Sequence, residues 1–175
     1  MIKTILVPTD GSEHASKAID LAADIASKYD AKIVLLHVLL HNTSVYDLKT
    51  LGERLRAPAS VIDRLDDVAQ AMVDASATGY GGPVFLPADP GTLKEIGTLI
   101  LEAAKLRVQS RSVEKIDAQM AEDAPADAIL RAAEKESADM IVMGSRGLGK
   151  LAGMLMGSVS HTVSHMSKCT CVTVK

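Results

Sequence analysis

The chain predicts an α/β fold, doubly wound around a parallel sheet, and three observations carry that prediction. Thr4 to Val7, Ile33 to Leu40 and Met140 to Met143 are short, continuous apolar runs without polar alternation, as expected of strands covered on both faces. Between them, apolar residues recur at helical spacing. Proline and glycine punctuate the ends of these runs, at Pro8, Gly11, Gly144 and Gly147.

In chain order, Pro8 stops the first run and Thr9-Asp10-Gly11-Ser12 makes a turn. Ser12 is suited to cap a helix, and Glu13 favours its positive end. Ala15, Ile19, Ala22, Ile25 and Ala26 then mark an inward helical face through about Tyr29. The second strand, Ile33 to Leu40, completes a strand-helix-strand unit whose right-handed crossover makes the two strands parallel.

From His41 to Gln109 the simple alternation is interrupted. Leu48, Leu51 and Leu55 predict a short helix, and Val61, Leu65, Val68 and Met72 a longer one ending near Gly79. Gly79 to Gly91, rich in glycine and proline, reads as an irregular loop pinned by Val84, Phe85 and Leu86. A third helix is expected from Thr92 to about Val108, with Leu93, Ile96, Ile100, Ala103 and Leu106 inward. This stretch is read either as a cover or oligomer surface or as a lid over a ligand.

Ser112 to Met120 is the expected third strand, with Val113, Ile116 and Ala118 toward the core. Asp123-Ala-Pro125 opens a helix, because proline is tolerated in the first turn, and Ala126, Ile129, Leu130 and Ala133 give its apolar face. After Met143 come a glycine-bearing loop, a helix of about Ser158 to Ser167 and a last strand from Cys171 to Val174. Strands alternating with helices make a doubly wound sheet. A single domain over residues 1–175, with an enlarged helical crossover at about 41–109, accounts for the chain.

Composition narrows the function classes. A hydrophobic content of 47% argues against disorder, and a net charge of −3 leaves no basic footprint for nucleic acid. No apolar run approaches the ~18 residues of a membrane span. The first strand begins almost at the N-terminus, so no signal peptide is expected and a cytoplasmic location is the default. With no Trp and one Phe, the core rests on aliphatic residues, and base-stacking platforms are lacking.

The segment from Met143 to Ser160 carries the candidate chemistry. Gly144 and Gly147 let the backbone approach a ligand, and the amides after Gly157 open a helix, where partial positive charge favours phosphate. Three loop templates compete here. Gly144 to Lys150 matches GxxxxGK, but Leu151 stands where the P-loop needs a hydroxyl for magnesium. Gly147-Leu-Gly149-Lys-Leu-Ala152 imitates a dinucleotide turn, yet no acidic residue follows to bind ribose. The third template, Gly, two residues, Gly, nine residues, Gly-Ser, fits Gly144, Gly147, Gly157 and Ser158 without a gap.

That pattern resembles the ATP-binding loop of the universal stress protein family. So do the opening Lys3 to Ser12 and the stretch from Ala138 to Gly147. The resemblance implies a five-stranded parallel sheet in the order 3-2-1-4-5, an adenine nucleotide alpha hydrolase-like, Rossmann-like fold. Ligands of such sheets bind beyond the carboxyl ends of the strands, where strand order reverses, which brings Pro8-Thr9-Asp10 beside Met143-Gly144. The resemblance further implies that Asp10 meets ribose hydroxyls, though ordering its own turn is the alternative. It also implies that Val38 offers backbone to the adenine edge. Ser158 and Ser160, with the amides of Ser158 and Val159, are placed to meet phosphate, and Ser158 is also a plain helix cap. Arg146 is the better candidate than Lys150 for pairing with phosphate charge.

The ligand expected is therefore ATP, with magnesium, or another adenine nucleotide. The family often pairs through its final strand, so a homodimer through Thr170 to Val174 is expected. Two departures stand out: Glu122 and Asp123 replace a glycine shortly before Pro125, and Lys168 to Cys171 replace a proline-containing approach.

Catalytic signals are thin. His161 and His165 have i, i+4 spacing but lack the Glu of HExxH, and with Val159, Val163 and Met166 inward they face solvent. Cys169 and Cys171 alone make neither a zinc site nor a disulfide framework. No nucleophile, base and orienting group can be assembled. The leading expectation is a nucleotide-dependent stress-response or signalling module; a slow ATPase or phosphotransferase, and a nucleotide-free interaction protein, are the alternatives.

Overall fold

In the computed structural model, β1 (Thr4–Pro8), β2 (Lys32–Val38), β3 (Ile116–Ala121), β4 (Met140–Gly144) and β5 (Thr170–Val174) lie parallel in the order β3-β2-β1-β4-β5. The structure describes residues 1–77, 87–149 and 156–175. The loop residues Val84, Phe85 and Leu86, the helix end expected near Gly79, and Lys150, Leu151 and Ala152 lie outside the described residues.

The register explains the unbroken apolar runs. Leu6 pairs with Val34 on one side and Ile141 on the other, so β1 sits between β2 and β4. Ile5, Val7, Ile33, Leu35 and Val142 pack into one core. Leu6, Val34, Leu36, Ile141 and Met143 pack into a second. A strand buried on both faces has no position for a polar residue, which is why alternation is missing.

Helix α1 (Glu13–Tyr29) closes the first core. The Ser12 hydroxyl caps it by accepting from Ala15 N, and Asp30 ends it in the left-handed region at φ 54°. An Asp tolerates that conformation because its short polar side chain bonds locally. Ala18, Ala22, Ala23 and Ala26 are buried, small enough to bring the helix close to the sheet. The second core is covered by α5 (Pro125–Lys135), which places its proline at the start as expected, and by α6 (Ser158–Met166).

The described chain divides into two compact units, residues 1–39 with 100–175, and residues 40–99. The second holds α2 (Val45–Arg54) and α3 (Ala59–Ala77), together with the first half of α4 (Pro90–Gln109). Within it, Val45, Leu48, Leu51, Val61, Leu65, Leu93 and Ile96 are buried. Asp89 accepts from both the amide and the hydroxyl of Thr92 at the start of α4.

Four local expectations are corrected. Along α4 the inward residues after Ile100 are Leu101, Ala104 and Val108, while Leu106 is 67% exposed and Ala103 is exposed as well. At about 100° per residue, steps of four from Ile100 run to one side of the helix and steps of three to the other, so spacing alone does not choose between them, and the packing takes Ala104 and Val108. The third strand starts at Ile116 rather than Ser112, because Arg111 N and Ser112 N bond to the Val108 and Gln109 carbonyls and Ser112 takes φ 61°. As an edge strand β3 is also open, and Ala118 is exposed. On α6, Met166 is 58% exposed, and Ser160 and Val163 form the buried face instead.

Candidate functional site

Strand order reverses between β1 and β4, so the turns that leave their carboxyl ends face each other. Thr9 N donates to Leu36 O at 2.8 Å, which carries the β1 to β2 pairing one residue past Pro8. Pro8 and Thr9 are buried, and Asp10 emerges half-buried at the rim. Gly11 takes φ 80°, a conformation that favours glycine, and lets the chain turn into α1.

Asp10 has two roles at once. Its Oδ1 accepts from Ser12 N at 3.0 Å, ordering its own turn. Its Oδ2 accepts from Leu148 N at 2.9 Å, tying that turn to the glycine loop. A carboxylate offers about four lone-pair sites, so acceptor capacity remains for a ligand hydroxyl.

The glycine loop is packed so closely that its glycines have steric reasons. A Cβ on Gly144 would lie 2.8 Å from the His14 carbonyl carbon and 2.9 Å from Ala15 N, against the start of α1. A Cβ on Gly147 would run into Asp10 Oδ2. Met143 is buried directly before this turn, while Arg146 and Gly147 are exposed.

Ser145 was not among the expected site residues, yet it organises the loop. It is 1% exposed, its N donates to Val174 O at 2.7 Å, and its carbonyl accepts from Gly157 N and from Ser160 Oγ, both at 2.8 Å. Its hydroxyl pairs with His14 Nδ1 at 3.0 Å. Ser145 thus draws β5, α1 and the start of α6 to one point. The Ser160 hydroxyl is directed to the Ser145 and Gly157 carbonyls. Gly157 stands at the N-cap of α6 with no side-chain cap bond, and Ser158 is exposed and Val159 half-buried. Val38 closes β2, half-buried, opposite Ala121.

His37, like His14, lies near the crevice by its place in the sequence, but the sequence names no partner for it. It is fully buried at the end of β2, with Nδ1 2.9 Å from Thr9 O. Burial holds its pKa below the usual histidine value, against the raising effects of the Thr9 bond and of Asp10. Its position inside the apolar run Ile33 to Leu40 sets it near the crevice, and the structure supplies the partner, the Thr9 carbonyl.

His161 and His165 are exposed, with rings stacked 6.5 Å apart. Among the described residues no group of three His, Cys, Asp or Glu is placed to hold a metal. Cys169 and Cys171 are free and half-buried, and burial pushes the Cys169 thiol up. An open recess of about 510 Å³, lined by Leu130, Met166, Lys168 and Cys169 among others, lies where the chain enters β4 and β5, at the opposite end of the sheet from Asp10. None of the described helices is long and apolar enough to cross a membrane.

Comparison with known proteins bears on the family and the fold. The model of the universal stress protein family matches residues 1–175. The universal stress protein YxiE of Bacillus subtilis (strain 168) is 30% identical over 175 residues, with 100% of both chains covered. Among solved structures, a universal stress protein in complex with cAMP aligns with a TM-score of 0.58 at 24% identity, over 99% of this chain and 96% of that one. The Archaeoglobus fulgidus protein in complex with dAMP aligns with a TM-score of 0.60 at 15% identity, over 100% and 98%.

Proposed function

This chain belongs to the universal stress protein family, and from that premise we propose that the crevice between β1 and β4 binds an adenine nucleotide, ATP with magnesium being the expected form. The observation that carries the reading is the Asp10 to Leu148 bond, which ties the start of the glycine loop to the switch point, while Gly157, the N-cap of α6, offers no side-chain cap. Support also comes from two proteins of the same fold that hold cAMP and dAMP.

The residues present fit such a ligand. Main-chain amides of Ser158 and Val159 at a helix N-terminus suit phosphate oxygens, and Arg146, exposed on the loop, adds positive charge. The unused lone pairs of Asp10 suit ribose hydroxyls, and the backbone of Val38 suits the adenine edge. Gly144 and Gly147 keep the wall free of side chains that would close it. When bound, magnesium would neutralise phosphate charge.

We read the protein as a binding module rather than an enzyme. His14 and Ser145 form a His-Ser pair, but Ser145 is buried and its hydroxyl is spent on holding the loop. Occupancy would act by favouring one arrangement of the glycine loop over another. The outer edge of β5, Thr170–Val174, would pair with a second copy in a homodimer.

Native mass spectrometry of freshly purified protein, followed by calorimetric titration with Mg-ATP, AMP and cAMP, tests the reading. A carried adenine nucleotide or a saturable heat is expected. Absence of binding to all three would overturn it.

A further inference from the structure

The buried His37 ring has one nitrogen accounted for and one not. Nδ1 meets the Thr9 carbonyl at 2.9 Å, and a carbonyl can only accept, so Nδ1 carries the proton. Nε2 is then a bare acceptor, and among the described residues it has no partner in a fully buried position. A buried acceptor left unpaired carries a desolvation cost, which the bond made by the other nitrogen offsets in part. What it holds is the carbonyl one residue before Asp10, on the turn that reaches across to Leu148.

We propose that His37 is the positioning residue of the nucleotide crevice, and that protonating its imidazole releases the Thr9-Asp10 turn and weakens what the crevice binds. A proton on Nε2 would place a charged donor without an acceptor inside the core. The ring would be driven toward solvent, and the Thr9 carbonyl would lose its donor. Asp10, the charged group that acts on the ring, favours the charged form but is outweighed by desolvation. Met120, the residue facing His37 from β3, does not titrate. His14, the other imidazole of this rim, is bonded to Ser145 rather than to Thr9. The two rings therefore report to different amides.

The inference rests on the nucleotide reading for its ligand, but the coupling of ring to turn can be measured without one. Imidazole NMR of the ligand-free protein should show the Nδ1–H tautomer at neutral pH. On acidification below about 6.5, the ordinary histidine value, the Thr9 and Asp10 amide signals should move with the His37 ring. In His37→Asn, whose amide still offers a donor to Thr9 but does not titrate, those movements should vanish. Between about pH 7.5 and about pH 5.5 the Mg-ATP affinity of the wild type should fall further than that of His37→Asn, which shares the protonation of ATP itself, by an extra factor above one and below about ten, the ceiling for a ring held under its ordinary pKa of about 6.5.

An Nε2–H tautomer, or turn amides that ignore the His37 ring, would overturn the inference. So would equal pH dependence of binding in the two proteins, with the nucleotide reading left standing. Turn amides that follow His37 in a protein that binds no nucleotide at any pH would uphold the coupling and sink the nucleotide reading instead.

Discussion

Asp10 Oδ2 accepts the main-chain N–H of Leu148 at 2.9 Å across a sequence separation of 138 residues, and this bond closes the glycine loop onto the turn after β1. The same carboxylate satisfies Ser12 N. Asp10→Ala leaves both amides without their partner, and each such bond is worth about 1 kcal/mol. Denaturant unfolding should show a loss of about 2 kcal/mol, and Mg-ATP affinity should drop at least tenfold. Asp10→Asn, which keeps one good acceptor, should fall between Ala and wild type in both measurements.

The two glycines of the turn should separate stability from binding. At Gly144 an added methyl meets the backbone of His14 and Ala15, which cannot swing aside, so Gly144→Ala should cost about 1–3 kcal/mol of stability. At Gly147 the obstacle is the Asp10 side chain, which can rotate away at the expense of its bond to Leu148. Gly147→Ala should therefore lower stability by about 1 kcal/mol or less while weakening nucleotide binding as much as Asp10→Ala does. Thermal unfolding and calorimetry on the same two variants check this, and equal stability losses would contradict it.

Much of this site was legible because its residues obey local rules. Ser12 reads as a cap, Gly11 as a turn, and Thr4 to Val7 as a strand buried on two faces, each from chemistry within a few positions. The face-to-face placement of Asp10 and the glycine loop needed the strand order, which the family resemblance supplied and the sheet confirms. What escaped reading was tertiary. Ser145 looks like one more loop serine, and only the convergence of β5, α1 and α6 gives it four partners. His37 reads as a histidine near the crevice without a partner, because the carbonyl it serves lies 28 residues away. On α4 the spacing was ambiguous between steps of three and four, and packing chose four.

Acid should weaken the tie between α1 and α4. Arg107 grips Asp20 through two bonds, 2.7 and 2.6 Å, and Arg111 adds a contact at 3.4 Å. The Arg107 hydrogen bond first, and then the Arg107 and Arg111 charges, hold the Asp20 carboxyl below its ordinary value of 3.8. A carboxylate held low in the folded state stabilises it above the unfolded pKa, and that contribution is lost as pH falls through the folded value. Wild-type Tm should therefore drop below about pH 4 more steeply than that of Asp20→Asn. Because Arg107 and Arg111 are 46% and 40% exposed, the difference should be small and shrink further in high salt.

The corrected face of α4 makes the sharpest packing test. Leu106 is 67% exposed and Val108 is fully buried in the core beneath α1, although both are aliphatic and two residues apart. Leu106→Ala removes a side chain that water already reaches, so unfolding free energy should change by no more than about 0.5 kcal/mol. Val108→Ala removes two methyl groups from a closed environment and leaves a void, which should cost about 2 kcal/mol. If Leu106 proved the more sensitive of the two in urea unfolding, the helix would be rotated from the position described, and the face with Ala103 and Leu106 inward would be restored.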